Sequence, residues 1–162
     1  MDPDVEVVSL IGQAGSGKTL LAVAAGLEQV LGEEAEYKKL IVSRPIQPLG
    51  NDIGYLPGTL EEKMDPWLMP IKDNLEFLMG NDRDTVKMYF ESGVIEIEAI
   101  TYIRGRSITN AFIIIDEAQN LTRHELKTIL TRVGDGTKII LTGDIEQIDN
   151  IYIDETSKGL TY

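Results

Sequence analysis

The chain contains no cysteine, so disulfides and thiolate metal sites are excluded, and a single histidine argues against a histidine-built metal centre. No apolar run approaches the roughly 18 residues of a membrane-spanning helix, and the N-terminus lacks a signal-peptide pattern. A cytoplasmic protein is the default expectation. Basic residues are also scarce: 15 Lys and Arg stand against 27 Asp and Glu, for a net charge of −12. Non-specific nucleic-acid binding is driven by Lys and Arg neutralising phosphates, so any such contact here has to be local or supplied from elsewhere. The Asn-Lys-x-Asp segment that reads guanine in many phosphate-loop proteins is missing too.

What remains is 162 residues, 43% hydrophobic, which suffices for one globular domain over 1–162 with a core of its own. EVVSLIG (6–12) is a short apolar strand candidate that runs into a glycine-rich loop. KTLLAVAAGLEQVLG (18–32) then carries Leu20, Val23, Ala24, Leu27 and Leu31 at helical spacing, with Gly32 as its stop. KLIVSRP predicts a second strand ending near Ser43. The irregular PIQPLGNDIGYLPG opens a helical insert over about 44–92. Within it, Asp65 suits an N-cap and Pro66 the first helical position, Leu68, Ile71, Leu75 and Leu78 share a face, and Pro70 predicts a split or kink. A shorter helix follows, with Asp84 read as its cap and Gly93 as its end.

VIEIEAITYIRG reads as two short strands joined by a turn. AFIIIDEAQ is a continuous apolar run suited to a sheet buried on both faces. TRHE (122–125) has the spacing of a capping box, with Leu126, Ile129, Leu130 and Val133 as the buried face of its helix. KIILTGD is the last clear strand. Strands alternating with amphipathic helices predict a three-layer α/β domain with a mainly parallel sheet. Both ends read as cut from a longer protein.

The chemistry is concentrated in IGQAGSGKTLLA. Gly12, Gly15, Gly17, Lys18 and Thr19 satisfy G-x-x-x-x-G-K-[ST] in full, between a strand and a helix as the pattern requires. Gly12, Gln13, Ala14, Gly15, Ser16, Gly17, Lys18, Thr19 and Leu20 form the expected phosphate cradle. The glycines let backbone N–H groups turn toward phosphate oxygens, Lys18 reaches the β and γ phosphates, and the Thr19 hydroxyl ligates Mg²⁺. A surface turn with one lysine would not need all eight positions.

FIIIDEAQ supplies the second half of a hydrolytic site. Asp116, at the end of a buried strand, is placed to hold the Mg²⁺ water shell, and Glu117 to orient or deprotonate the attacking water. LTGDIEQ brings Thr142, Asp144 and Gln147 to the same sheet edge if the strands are parallel, where they are placed to sense the γ-phosphate. With no guanine-reading segment, ATP is the expected nucleotide.

Together with the phosphate loop, four further segments carry a family resemblance: SRPIQPLGNDIGYLPGTLEEKMDPW (43–67), IRGRSI (103–108), IIDEAQN (114–120) and LTGDIEQ (141–147). The sequence resembles the PhoH-like family of phosphate-starvation-associated ATPases from residue 3 to residue 162. That resemblance implies a RecA-like phosphate-loop core similar to the first motor domain of superfamily 1 helicases, acting on single-stranded RNA by unwinding or translocation. In that frame Ser43-Arg44-Pro45 occupies the nucleic-acid-contacting segment, and Arg44, Lys63 and Trp67 are the expected RNA contacts. Trp67 suits a core or interface position equally well.

The resemblance further implies an N-terminal PIN ribonuclease domain in the parent protein, with no RNA cleavage expected from these residues alone. It also implies a homo-oligomeric, hexameric ring in the parent protein, because one motor domain lacks the second arginine-bearing lobe. Arg132, closing the helix that starts at Thr122, is the first choice for an arginine acting on a neighbour's site, with Arg104 and Arg106 as alternatives. A rival reading makes the domain a nucleotide-switched interaction module that regulates a nuclease partner without separating strands.

Overall fold

The computed structural model describes residues 2, 4–45, 60–103, 107–144 and 146, excluding the side chains of 60–67, 99, 101 and 102. Five strands make one sheet: β1 (Val7–Ile11), β2 (Lys39–Arg44), β3 (Ile95–Ala99), β4 (Ala111–Ile115) and β5 (Lys138–Gly143). Their order is β1-β5-β4-β2-β3 and every pairing is parallel. Helices α1 (Lys18–Leu31), α2 (Leu60–Leu78), α3 (Arg83–Glu91), α4 (Ile100–Ile103) and α5 (Arg123–Leu130) connect them. This is the expected three-layer α/β architecture of a phosphate-loop NTPase.

The period-2 alternation of the strands divides the core between two faces. Leu40, Val42, Phe112, Ile114 and Ile140 point to one side, where Ala22 and Val23 of α1 and Ile71 and Leu75 of α2 cover them. Ile41, Ile113, Ile115, Ile139 and Leu141 point to the other, against Ile100 and Ile103 of α4 and Leu126 and Ile129 of α5. All five residues of β4 are buried, as a central parallel strand covered on both faces requires.

Gly26 explains how closely α1 lies on the sheet. A Cβ there would fall 2.7 Å from Leu40 Cδ1 and 3.1 Å from Phe112 Cδ1. Gly26→Val should therefore destabilise the domain by about 1–3 kcal/mol through overpacking, visible as a lower melting temperature. An unchanged melting temperature would show that α1 moves off the sheet without cost.

Four local expectations change. The helix expected from Asp65 begins at Leu60 and runs through Pro66 and Pro70 as one element. Each proline lacks an N–H, but the burial of Leu68, Ile71 and Leu75 keeps the segment helical. The cap of α3 is Asp82, not Asp84: the Thr85 N–H donates to its Oδ1 at 3.1 Å. Hydrogen bonds from the Thr85 hydroxyl, then from its N–H, hold the Asp82 carboxyl below the usual carboxylate range. The second strand expected after β3 is the short helix α4, so the sheet gains one strand there instead of two. Finally, α5 ends at Leu130 with Thr131 as its C-cap, leaving Arg132 just beyond the helix.

The capping box at Thr122 forms as expected. Glu125 N–H donates to Thr122 Oγ1 at 3.2 Å, and Thr122 N–H donates to Glu125 Oε2 at 2.9 Å. No helix among the described residues is long and apolar enough to cross a membrane.

Candidate nucleotide site

Parallel register brings three segments to one edge of the sheet. Ile11 is level with Gly143, and Ile115 with Leu141, so the loop after β1, the acidic pair after β4 and the turn after β5 emerge side by side. Gly12 N–H donates to Gly143 O at 3.2 Å and ties the first of these to the last.

The loop owes its shape to its glycines. Gly15 and Gly17 have φ of 77° and 80°, left-handed values that a side chain would strain, so their neighbouring amides curl around one space. Gly17 is the N-cap of α1, no side chain caps the helix, and no acidic residue sits in its first turn. The first amides of α1 and the positive end of its dipole thus face the same space. Lys18 Nζ lies over the loop, donating to Gly12 O and Gln13 O at 2.7 Å each and to Ser16 Oγ at 3.4 Å.

Opposite the loop, Asp116 is 4% exposed and its Oδ1 accepts from two hydroxyls, Thr19 Oγ1 at 2.7 Å and Thr142 Oγ1 at 2.6 Å. Arg44 Nε lies 3.9 Å from Asp116 Oδ2, and Arg44 Nη2 donates to Glu117 Oε1 at 3.2 Å. Glu117 has φ 54° and ψ 41°, the left-handed region, which costs a non-glycine residue about 1–3 kcal/mol and is tolerated where surroundings enforce it. Its other oxygen accepts from Gln119 Nε2.

Asp144 closes the network: its Oδ2 accepts from Ala14 N–H at 2.8 Å, and its own N–H donates to Gln119 Oε1 at 3.2 Å. One chain of contacts therefore joins the loop backbone, Asp144, Gln119, Glu117 and Arg44. The cleft between these parts measures about 340 Å³, and Ala14, Gly15, Lys18, Thr19, Asp116 and Glu117 line it. Hydroxyl and carboxylate oxygens at Thr19 and Asp116 are the hard donors that Mg²⁺ takes, and an ion held mostly by water and phosphate needs few of them.

The expected phosphate loop, Asp116, Glu117, Thr142 and Asp144 all converge. Leu20 and Asn74 also line the cleft, and Asn74 was not anticipated. It is an amide on an amphipathic helix more than fifty residues beyond the loop, so local sequence carries no signal for it. Gln119 lies in the FIIIDEAQ motif, and its side chain bridges Glu117 and the Asp144 N–H, a link that local sequence does not signal. Arg44 points into the acidic pair. Arg132 is exposed, makes no ion pair among the described residues, and lies before β5, at the sheet edge opposite the cleft. Gln147, Arg104 and Arg106, and the side chains of Lys63 and Trp67, lie outside the described residues.

The family model of PhoH-like proteins matches residues 2–162. The chain belongs to the PhoH-like family. It is 60% identical over 161 residues to protein PhoH2 of Bacillus subtilis (strain 168), covering 98% of this chain and 36% of that protein. Protein PhoH2 of Thermobispora bispora is 42% identical over 154 residues, covering 94% of this chain and 35% of the relative. A PhoH-like protein of Bacillus subtilis (strain 168) is 44% identical over 144 residues, covering 89% and 44%. The chain thus spans about 35–44% of the length of these relatives. Family and geometry agree on a nucleotide-binding PhoH-like domain with a phosphate-loop core.

Proposed function

We propose that this PhoH-like domain binds ATP with Mg²⁺ and hydrolyses it, and that in a longer protein the turnover drives unwinding of, or translocation on, single-stranded RNA. The observation that carries the hydrolytic part is the single cleft in which Lys18, Thr19, Asp116 and Glu117 face one another. Lys18, freed from the Gly12 and Gln13 carbonyls, takes the β and γ phosphate oxygens as replacement acceptors. The amides of the loop and of the start of α1 hold the remaining oxygens. Thr19 and Asp116 hold the metal, which when bound neutralises charge on the phosphate oxygens. Glu117 orients a water for in-line attack and accepts its proton, giving ADP and inorganic phosphate. Buried Thr142 fixes the Asp116 carboxylate, and Asp144 braces the loop through Ala14.

RNA coupling is supported by family membership and by Arg44 at the end of β2, with Lys63 and Trp67 further along the chain. A ring supplies the remaining positive charge if a neighbour's Arg132, Arg104 or Arg106 enters the cleft. The position of Arg132 before β5, away from this chain's own cleft, is compatible with a role in another subunit's site. A PIN ribonuclease domain in the parent protein fits the same reading.

The second reading, a nucleotide-switched interaction module, is favoured by the net charge of −12. ATP turnover measured with and without single-stranded RNA, beside a solution mass measurement, separates the two. The motor reading expects RNA to stimulate turnover and the active species to be oligomeric. RNA-independent turnover leaves the switched module.

A further inference from the structure

We propose that Arg44 is a positioning residue that latches the hydrolytic carboxylate. Its guanidinium holds Glu117 in a resting pose until a nucleic-acid phosphate draws the arginine away, so occupancy by RNA releases the group that activates water. This rests on the hydrolysis and RNA-coupling readings above and adds their regulation.

Both oxygens of Glu117 are engaged by the protein, Oε1 by Arg44 Nη2 at 3.2 Å and Oε2 by Gln119 Nε2. The backbone of Glu117 sits in a left-handed conformation, so these two contacts hold a strained residue in place. A carboxylate whose two oxygens already accept from Arg44 and Gln119 has less capacity to take a proton from a water over the phosphate loop. Gln119 is buried and fixed by Asp144, whereas Arg44 is the more displaceable partner: its side chain is 27% exposed. It is also the last residue of β2, at the sheet edge where the acidic pair emerges, with Asp116 N–H donating to Ser43 O at 2.8 Å.

The exchange is chemically balanced. With side chains 27% and 29% exposed, the Arg44–Glu117 pair is within reach of a competing anion from solvent. A phosphodiester offers the same guanidinium two oxygens in a matching fork. In a chain of net charge −12, a polyanion needs a local cation, and Arg44, held by Glu117 and Asp116, is one that competing phosphate oxygens can draw off. Reciprocity follows from thermodynamic linkage: a change at Glu117 that weakens the pair and leaves Arg44 intact should strengthen binding of RNA at Arg44.

The test uses the full-length protein with Arg44→Ala, Arg44→Lys, Glu117→Gln and, as a charge control at an exposed site, Glu91→Gln. Arg44→Ala should raise ATP turnover without RNA by about 5-fold or more and leave little further stimulation by single-stranded RNA. Arg44→Lys, which keeps the charge and loses the fork, should fall between it and the wild type. A labelled single-stranded RNA, titrated without nucleotide, should bind Glu117→Gln about 5-fold more tightly than wild type, with Glu91→Gln unchanged and Arg44→Ala weakened.

The latch is overturned if neither Arg44 variant turns over faster without RNA, or if Glu117→Gln gains no RNA affinity beyond the charge control. Stimulation by poly-glutamate equal to that by RNA would overturn the assignment of the trigger to nucleic acid. The hydrolysis reading fails separately, through wild-type ATP turnover by Glu117→Gln.

Discussion

Glu117→Gln should bind ATP as the wild-type protein does and lose turnover by about 10²- to 10⁴-fold, the range a positioned general base contributes. The substitution keeps the shape of the side chain and its capacity to accept from Gln119. It removes the negative charge that takes a proton from water, while Lys18, Thr19 and Asp116 remain to grip the nucleotide. Single-turnover phosphate release measures the chemical step, and a parallel titration with a fluorescent ATP analogue measures binding. Loss of binding together with turnover would mean that Glu117 shapes the cleft instead of acting on water. Undiminished turnover would move the role to another group.

Lys18→Ala should weaken ATP binding by about 10- to 100-fold, the value of one or two charge-assisted hydrogen bonds to phosphate. In the ligand-free protein the ammonium donates to two loop carbonyls and a serine hydroxyl. Those carbonyls lie at an open cleft where water can replace the lysine, so thermal stability should change little. The contrast between a large loss of affinity and a nearly unaltered melting transition is the diagnostic outcome. Equal ATP affinity in the variant would show that the backbone amides alone hold the phosphates and that Lys18 is a loop brace.

The two variants also differ in their expected RNA behaviour. Glu117→Gln removes the Glu117 charge from the Arg44–Glu117 pair, whereas Lys18→Ala leaves that pair as it stands. RNA affinity without nucleotide should therefore rise in the first and stay level in the second, a difference that a nonspecific loss of structure would not produce.

Local patterns in the amino-acid sequence were enough to determine the phosphate loop, the strand–helix alternation and the capping box at Thr122. Each depends on residues within a few positions of one another: glycines that must adopt left-handed angles, apolar residues at period 2 or 3.6, a threonine three residues before a glutamate. The acidic pair was legible for the same reason, being adjacent at the end of an apolar run. Pro66 and Pro70 misled because helix-breaking is a local cost, while the packing of Leu68, Ile71 and Leu75 against the sheet that outweighs it is not local. The proposed strand after β3 failed similarly, because Ile100 and Ile103 are buried as readily on one turn of helix as on a strand.

Tertiary structure alone decided what each polar group of the cleft touches. Parallel register set the ends of β1, β4 and β5 level, so that Thr19, Asp116 and Thr142 meet although 97 residues separate the first two. Arg44 shows the difference most plainly. The family resemblance implies an RNA contact for Arg44, but the residue shares a sheet face with Asp116, because residues 42 and 44 of β2 alternate in step with 114 and 116 of β4 and beyond. That period-2 pleat, acting between strands seventy residues apart, turns its guanidinium onto Glu117, and no reading of neighbouring residues could have placed it there.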